Sequence, residues 1–168
     1  NIKKTNVKHI LLCGDRHYVK YIGVTMTSIL LTNKGEEFEF HIFVDSVSEE
    51  DLSRLKQTSE KFSVSINIYF IHVDVIKKFS EDMHGNDHIS VAAYFRFIAF
   101  GALYKIVDKV LYLDSDICIL DDKINIFWKV DLLNKIAIVI GKQAGDSSEI
   151  RLNVEKAFNS GVIFVDIN

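Results

Sequence analysis

Short apolar runs alternate along the chain with stretches whose apolar residues recur at helical spacing. Runs closed by turn residues, or alternating with period two, predict strands, whereas spacings of three and four residues predict helices. Alternation of strands and helices is typical of a mostly parallel sheet with helices packed on both faces. The predicted strands are residues 7–14, 38–44, 64–73, 109–113, 136–140 and 161–167.

Three helices are predicted between these strands. The first, residues 18–31, ends before Asn33 and Gly35, which are helix stop signals. The second opens with Ser-Glu-Glu-Asp at 48–51, which has the form of a capping box. The third, residues 90–104, is apolar almost all round, so we expect a buried helix with Ser90 as its N-cap. The residues that define the faces are Tyr21, Val24, Thr25, Ser28 and Ile29 in the first helix and Leu52, Leu55 and Phe62 in the second.

Two aspartates follow the fourth predicted strand, in the sequence Val-Leu-Tyr-Leu-Asp-Ser-Asp at 110–116. Because side chains alternate along an extended segment, Asp114 and Asp116 are expected on one face. Two carboxylates so placed suit a divalent cation such as Mn²⁺ or Mg²⁺. Such a cation usually binds the phosphate group of a ligand. A strand that ends in a polar turn would use the same residues. On this motif alone, both interpretations stay open.

A further aspartate, Asp15, follows the first predicted strand. In open α/β sheets, ligands bind in the crevice outside the carboxyl ends of the strands. We therefore expect Asp15 and Asp114 to face the same crevice.

One charged residue, Arg96, interrupts the apolar segment 90–104. An arginine is almost never buried without a partner, so Arg96 needs an anion. That anion is either an internal carboxylate, with Asp114 as the candidate, or a donor sugar or phosphate beside it. Both interpretations are compatible if Arg96 contacts the donor and also orients Asp114, the aspartate of the metal site.

Composition narrows the function classes. The 168 residues suffice for one domain, with 48% hydrophobic and 26% charged residues, as in soluble globular proteins. A net charge of -3 gives no support for nucleic-acid binding. Cys13 and Cys118 both lie in apolar, strand-like contexts, which argues against a disulfide framework and fits a reducing compartment. No apolar stretch approaches the length of a membrane span.

Five ordered segments carry a resemblance to a known family. They are Gly-Asp-Arg-His-Tyr at 14–18, His-Ile-Phe-Val-Asp at 41–45, Tyr-Phe-Arg-Phe at 94–97, the segment 110–116, and Phe-Asn-Ser-Gly-Val-Ile at 158–163. Together they resemble the family 8 retaining glycosyltransferases, especially the bacterial glucosyl- and galactosyltransferases of the lipopolysaccharide core. The resemblance implies an α/β fold of the GT-A type, a Rossmann-like nucleotide-sugar-binding domain.

The resemblance also implies roles for individual residues. Asp114 and Asp116 would bind Mn²⁺, with Mg²⁺ as the alternative, and Asp114 would also lie near the donor sugar. Tyr18 would stack on the uracil, although it could instead pack in the helix core. Gly161 would let the backbone approach the ligand closely, although a bulge at the end of a strand would also favour glycine. The implied catalytic residues are Asp114, Arg96 and Asn159, and the implied donor-binding residues are Asp15, Tyr18, His88, Ile89, Ser115 and Gly161.

Some family features have no counterpart in these residues. The third metal ligand of the family is a histidine near a later Lys-Pro-Trp segment, and a later Asp-Gln pair approaches the anomeric carbon. We expect none of the six histidines to serve, since His41 and His72 are predicted in strands and His9 at the start of one. Residues 1–168 are therefore expected to form a single GT-A nucleotide-sugar-binding and catalytic domain that lacks its C-terminal part.

The implied function is transfer of a hexose from UDP-glucose or UDP-galactose to a saccharide acceptor, with the anomeric configuration kept. The implied acceptor is a lipid-linked oligosaccharide of the lipopolysaccharide core, which places the enzyme in the cytoplasm at the inner face of the bacterial inner membrane. Peripheral membrane attachment would then belong to the full-length protein.

Two alternatives to this function stay open. One is a fragment that binds nucleotide and metal without turnover. The other is an aspartyl-phosphate phosphatase, which also places Asp-x-Asp at a strand end, with the first aspartate as nucleophile. It is disfavoured because phosphatases carry the motif on their first strand and follow it with a small residue or threonine. Here it follows three earlier strands and precedes Ile117 and Cys118.

Overall fold

The computed structural model describes residues 6–82, 91–132, 137–139 and 160–167. Within them, six strands form one sheet that carries helices on both faces. The elements are β1 (Lys8–Gly14), α1 (Val19–Thr32), β2 (Phe38–Val44), α2 (Glu49–Phe62), β3 (Ser65–Phe70), α3 (Val73–Asp82), α4 (Phe95–Leu103), β4 (Lys109–Asp114), β5 (Ala137–Val139) and β6 (Val162–Asp166), with 3-10 helices at Val91–Tyr94 and Asp122–Lys129.

The strand order across the sheet is β3-β2-β1-β4-β6-β5. The pairs β3–β2, β2–β1 and β1–β4 are parallel, whereas β6 runs antiparallel to both β4 and β5. The predicted mostly parallel sheet is confirmed. Because β1 to β4 share one direction, their carboxyl ends meet at one edge of the sheet.

Alternation along the central strands supplies two cores. Ile10 and Leu12 of β1 face α1 and α2, whereas Leu11 and Cys13 face α4. Both layers are buried, which explains why these strands read as continuous apolar runs rather than as alternating ones.

The predicted first helix is correct within one residue at each end, but its buried face is rotated from the prediction. Tyr21 and Val24 are 44% and 59% exposed. The segment carries two overlapping apolar stripes at helical spacing, and contact with the sheet selects one of them. The buried stripe consists of Val19, Ile22, Thr25, Met26, Ile29 and Leu30.

The second helix begins as its capping box predicts. Ser48 is the N-cap, and its hydroxyl oxygen accepts a hydrogen bond from the Asp51 backbone N–H at 3.1 Å. Leu55 is buried and Phe62 packs against the core, but Leu52 is 39% exposed. The buried side of α2 is therefore narrower than predicted.

The third predicted helix is divided in two and only half-buried. A 3-10 turn at Val91–Tyr94 leads into α4, and Ser90 lies outside the described residues. Phe97 and Tyr104 are 62% and 52% exposed, so burial on all sides was wrong. The reason is that α4 packs one side against the sheet and turns the other side away from it. The buried side holds Phe95, Arg96, Ala99 and Leu103.

The prediction at 64–73 was wrong at its end. β3 stops at Phe70 and α3 starts at Val73, so neither His72 nor Val73 belongs to the strand. Phe70, the last residue of the strand, is 61% exposed, whereas Ile66 and Ile68 pack against the core. The helix α3 and the 3-10 helix at Asp122–Lys129 were not predicted at all.

The two cysteines are both free, as expected. Cys13 is buried in β1, where burial raises the pKa of its thiol. Cys118 is exposed and lies outside a strand, which corrects the predicted strand-like context. In the described part of the chain, no helix is long and apolar enough to cross a membrane.

Candidate functional site

A cavity of about 210 Å³ lies at the carboxyl ends of β1 and β4. It brings together six of the residues that the sequence singled out. Asp15 and Asp114 both line it, so the prediction that they face one crevice is confirmed. The six residues are Asp15, Tyr18, Arg96, Asp114, Ser115 and Asp116.

A larger cavity, of about 410 Å³, lies between α1 and α2. Its walls include Val24, Leu31 and Leu55, with Asp51 as the one carboxylate among its lining residues. Binding sites combine apolar walls with convergent polar groups. The smaller cavity, which collects three carboxylates and an arginine, is therefore the better candidate.

Gly14 allows the first strand and the first helix to meet closely at this cavity. A Cβ added to Gly14 would lie 2.9 Å from the Cβ of Tyr18, closer than two such atoms approach. The absence of a side chain at Gly14 thus places Tyr18 directly beside the end of β1. The Tyr18 ring is 44% exposed, which contradicts the alternative that it packs in the helix core.

The loop after β1 is shaped by two carboxylates. Asp15 accepts a hydrogen bond from the His17 backbone N–H at 2.8 Å. Asp45, just after β2, accepts one from the Arg16 backbone N–H at 2.9 Å. These bonds hold Asp15 half-buried at the mouth of the cavity.

Arg96 is 9% exposed and uses its guanidinium to join three elements. Its Nη2 donates to Oδ1 of Asp114 at 3.1 Å, and its Nε donates to the carbonyl of Ala93 at 2.8 Å. Nη1 donates to the carbonyl and hydroxyl of Ser160 at 2.8 and 3.2 Å. Of the two partners predicted for Arg96, the internal carboxylate Asp114 is thus present.

Tyr112 completes this arrangement from one side. Its hydroxyl donates to Oδ1 of Asp114 at 2.5 Å, and its ring lies 4.4 Å from the guanidinium carbon of Arg96. Burial and the bond to Asp114 raise the pKa of the Tyr112 phenol, so it remains a donor at neutral pH. Among the described residues, both contacts of the Asp114 carboxylate use Oδ1. Its Oδ2 remains available as a ligand atom.

With Asp114 as the implied Mn²⁺ ligand, we expect Tyr112→Phe to weaken Mn²⁺ binding by about 10-fold, because an outer partner that orients a metal ligand is typically worth about 10–100-fold. The fold should persist, since Arg96 still pairs with Asp114. Calorimetric titration with Mn²⁺ measures the effect, and Tyr104→Phe, at an exposed tyrosine after α4, is the matched control. Equal Mn²⁺ affinity in both variants would contradict an orienting role for Tyr112.

The backbone around the two aspartates is also held. The Asp114 N–H donates to the carbonyl of buried Gly161 at 2.8 Å, so Gly161 lies beside the end of β4. Ser115 is buried, whereas Asp116 is exposed. The Asp114 carboxylate is therefore held in place by hydrogen bonds, whereas the Asp116 carboxylate faces solvent.

Helix α1 anchors the loop that carries the aspartates. The buried Thr25 hydroxyl donates to the carbonyls of Ser115 and Ile117 at 2.9 and 2.7 Å. The Ser28 hydroxyl accepts from the Ile119 N–H at 2.9 Å. Thr25 and Ser28 were predicted to lie on one face of the first helix, with no polar role for either. The sequence feature that could have indicated this role is a pair of hydroxyl side chains, three residues apart, on an otherwise apolar face of the helix.

Thr25→Val is expected to lower the free energy of unfolding by about 1–2 kcal/mol. Valine has a similar shape but no hydroxyl, so the buried Ser115 carbonyl and the half-buried Ile117 carbonyl lose their shared donor. Mn²⁺ affinity should fall as the loop loses its anchor. Chemical denaturation and calorimetric titration measure the two effects. Thr27→Val is the control, since the Thr27 hydroxyl donates to Gly23 O within α1. The anchoring role fails if both variants behave alike.

Three residues named from the sequence, His88, Ile89 and Asn159, lie outside the described residues. Conversely, Tyr112 and Ser160 contact the implied site residues but were missed. In the sequence, Tyr112 looks like one more apolar strand residue. Ser160 was not recognisable because its partner, Arg96, lies 64 positions away in the sequence.

The donor set at the cavity fits the implied cation. Asp114 and Asp116 offer carboxylate oxygens, which Mn²⁺ and Mg²⁺ prefer. Among the described residues, no histidine lines this cavity. His9 and His41 lie with Glu39 in a separate cluster on the sheet.

Comparison with known proteins agrees with the fold. The model of glycosyl transferase family 8 matches residues 9–168. General stress protein A of Bacillus subtilis is 31% identical over 173 residues, covering 98% of this chain and 58% of that protein. A lipopolysaccharide 1,2-glucosyltransferase of Escherichia coli is 27% identical, covering 99% of this chain and 50% of that protein.

Among solved structures, the galactosyltransferase LgtC in complex with donor and acceptor sugar analogues superimposes with a TM-score of 0.80. It is 21% identical and covers 95% of this chain and 58% of its own, a likeness that establishes the fold. The chain spans about half the length of the curated relatives it matches. With a family match over nearly all its residues and a GT-A fold, the chain belongs to glycosyltransferase family 8.

Proposed function

We propose that this chain is the donor-binding domain of a metal-dependent, retaining glycosyltransferase. The enzyme transfers glucose or galactose from a UDP-sugar to a saccharide acceptor of the lipopolysaccharide core. The observation that carries this proposal is the cavity at the carboxyl ends of β1 and β4, where Asp114, Asp116 and Arg96 converge in a family 8 chain. Residues 1–168 act in it as a single domain.

The donor is held in two parts. Asp15 binds the uracil edge and the exposed Tyr18 ring stacks on the base, both from the loop that follows β1. Asp114 and Asp116 hold Mn²⁺, or Mg²⁺ in its place. When bound, the ion supplies positive charge that offsets the charge developing on the diphosphate as UDP leaves.

The remaining residues position the sugar. Arg96 contacts the donor sugar and at the same time orients Asp114, to which it is already bonded. Ser115 and Gly161 border the donor from the β4 side. His88 and Ile89 are assigned to the diphosphate, and Asn159 to the underside of the sugar.

The carboxylates that line the cavity are Asp15, Asp114 and Asp116, and each has a binding role in this scheme. This assignment favours a front-face reaction, with no covalent intermediate on the described residues. The acceptor oxygen bonds to the anomeric carbon as the bond to the phosphate oxygen breaks. The acceptor proton passes to the leaving phosphate.

The acceptor and the place of action follow from the relatives. One relative is a lipopolysaccharide 1,2-glucosyltransferase of Escherichia coli, so a lipid-linked oligosaccharide is the proposed acceptor. The enzyme then works in the cytoplasm at the inner face of the bacterial inner membrane, with peripheral membrane association. Nucleic acid is not a proposed partner, given the net charge of -3.

Calorimetric titration with UDP, UDP-glucose and UDP-galactose, each with and without Mn²⁺, tests the proposal. We expect Mn²⁺-dependent binding of UDP and a preference for one of the two sugars. Binding of a UDP-sugar without transfer of its hexose to any acceptor would favour a chain that binds nucleotide and metal without turnover. Hydrolysis of a phosphomonoester with Mg²⁺, without UDP binding, would favour the phosphatase and overturn the proposal.

A further inference from the structure

A second group of metal-ligating side chains lies on the sheet, on the face that carries α4. His9 of β1 and Glu39 of β2 are direct neighbours across the two strands, and His41 is two residues further along β2. One ligand atom from each of the three residues lies within 4.8 Å of the other two. The three side chains therefore converge on one point rather than only sharing a face.

The distances within the group are close to those of a metal site. His9 Nδ1 lies 3.1 Å from His41 Nε2 and 3.9 Å from Glu39 Oε2. Two ligand atoms on a tetrahedral Zn²⁺ are about 3.3 Å apart, given bonds of 2.0–2.1 Å. The imidazoles need to separate by a few tenths of an ångström. Glu39 needs to approach His9 by about half an ångström and His41 by up to about 1.5 Å, since the ligand atoms lie within 4.8 Å of one another. Side-chain rotation supplies movements of this size.

Outer partners already orient two of the three ligands. Asn67 Nδ2 donates to Glu39 Oε1 at 2.7 Å, which leaves Oε2 as the oxygen nearest His9. The Tyr69 hydroxyl lies 3.2 Å from His41 Nδ1, so its oxygen can accept a hydrogen bond from the Nδ1–H group, which leaves Nε2 as the ligand atom. A partner on the second ring nitrogen is the usual companion of a metal-bound histidine.

Burial and charge also suit a cation. His41 is 1% exposed, whereas the side chains of His9 and Glu39 are 21% and 32% exposed, which gives an ion a route from solvent. Burial lowers the pKa of both histidines, that of His41 to about 4. Both imidazoles are thus neutral at pH 7, the form that binds metal.

We propose that His9, Glu39 and His41 form a binding site for Zn²⁺ or a similar borderline-soft divalent cation, separate from the Asp-Ser-Asp cavity. Two imidazoles and one carboxylate are a donor set typical of zinc, whereas the all-oxygen pair Asp114 and Asp116 suits Mn²⁺. The ion ties β1 to β2 at the amino half of these strands, away from the carboxyl ends that form the cavity. The site does not depend on the proposed transferase function.

The test uses the 168-residue chain, freed of metal with a chelator, in an Asp116→Ala background that disables the other site. Calorimetric titration with Zn²⁺ is expected to show one equivalent bound. Co²⁺ is expected to develop the visible bands of a four-coordinate ion with nitrogen ligands. His9→Gln and Glu39→Gln should each lower Zn²⁺ affinity by about 100-fold or more, since loss of an outer partner alone costs about 10–100-fold.

Two further variants refine the result. Asn67→Ala should lower Zn²⁺ affinity by about 10-fold through Glu39. His72→Gln should leave it unchanged, because the exposed His72 pairs with Asp74 at 3.3 Å outside the cluster. His41 is left intact because it is buried, and circular dichroism of the metal-free variants checks that each is folded. Absence of saturable Zn²⁺ binding, or unchanged affinity in His9→Gln, would overturn the site and leave a plain hydrogen-bonded histidine pair. So would an equal loss in His72→Gln.

Discussion

Asp116→Ala is expected to abolish Mn²⁺-dependent UDP binding while the protein stays folded. The side chain is exposed at the end of β4, so its removal opens no cavity in the core. The free energy of unfolding should therefore stay within about 0.5 kcal/mol of the parent value. Nucleotide affinity should fall because one of the two proposed carboxylate ligands is lost and Asp114 alone cannot retain the ion. Calorimetric titration with UDP and Mn²⁺ measures the binding, and urea denaturation measures the stability.

Asp122→Ala is the matched control for this variant. Asp122 is another exposed aspartate, six residues further along the chain and outside the cavity. It should bind UDP and Mn²⁺ as the parent does. If Asp116→Ala unfolds, or retains full Mn²⁺-dependent affinity, the metal assignment at Asp114 and Asp116 is wrong.

Arg96→Ala is expected to reduce both stability and donor binding. The guanidinium makes hydrogen bonds to Asp114, Ala93 and Ser160. Its loss leaves two carbonyls without this donor and the Asp114 carboxylate without its cation, with only the Tyr112 hydroxyl still donating to it among the described residues. Breaking a buried ion pair from one side costs about 3–5 kcal/mol. The Asp114 side chain is 36% exposed and regains some water, so we expect about 2–3 kcal/mol here. Urea denaturation measures this loss.

Two other arginine variants separate charge from geometry. Arg96→Lys keeps the charge but loses the planar fork that reaches Asp114 and Ser160 together, so it should recover only part of the stability. Arg54→Ala, on the exposed face of α2 beside Glu50, should change stability by less than about 1 kcal/mol. Full UDP affinity in a folded Arg96→Ala protein would show that Arg96 has only a structural role.

Local patterns carried most of the fold prediction. The apolar runs before Gly14 and Asp114 are buried on both sides of the sheet, which is why they were recognisable as strands. The pair Asp114 and Asp116 was recognisable because two carboxylates one residue apart share a face. Arg96 was recognisable because a charge inside an apolar helix demands a partner. In each case the informative pattern lies within a few neighbouring residues, so it can be recognised in the sequence.

Features that depend on distant partners were not predictable. The rotation of α1 follows from which of two apolar stripes meets the sheet, and no local signal favours one of them. The contact of Arg96 with Ser160 depends on β6 pairing beside β4. The role of Thr25 depends on the loop after β4 passing over α1. The convergence of His9, Glu39 and His41 depends on the register between β1 and β2.

The amino-acid sequence by itself determined the alternation of strands with the first helices, the mostly parallel sheet and the three carboxylates that line the cavity. Those properties follow from periodicity and residue chemistry within short segments. The tertiary structure alone decided that Tyr112 bonds to Asp114, that Thr25 holds the Asp-Ser-Asp loop, and that two histidines meet a glutamate across β1 and β2. The physical reason is that hydrogen bonds and ligand geometry depend on distances of a few ångströms between residues far apart in the chain. Only strand register and helix packing set those distances.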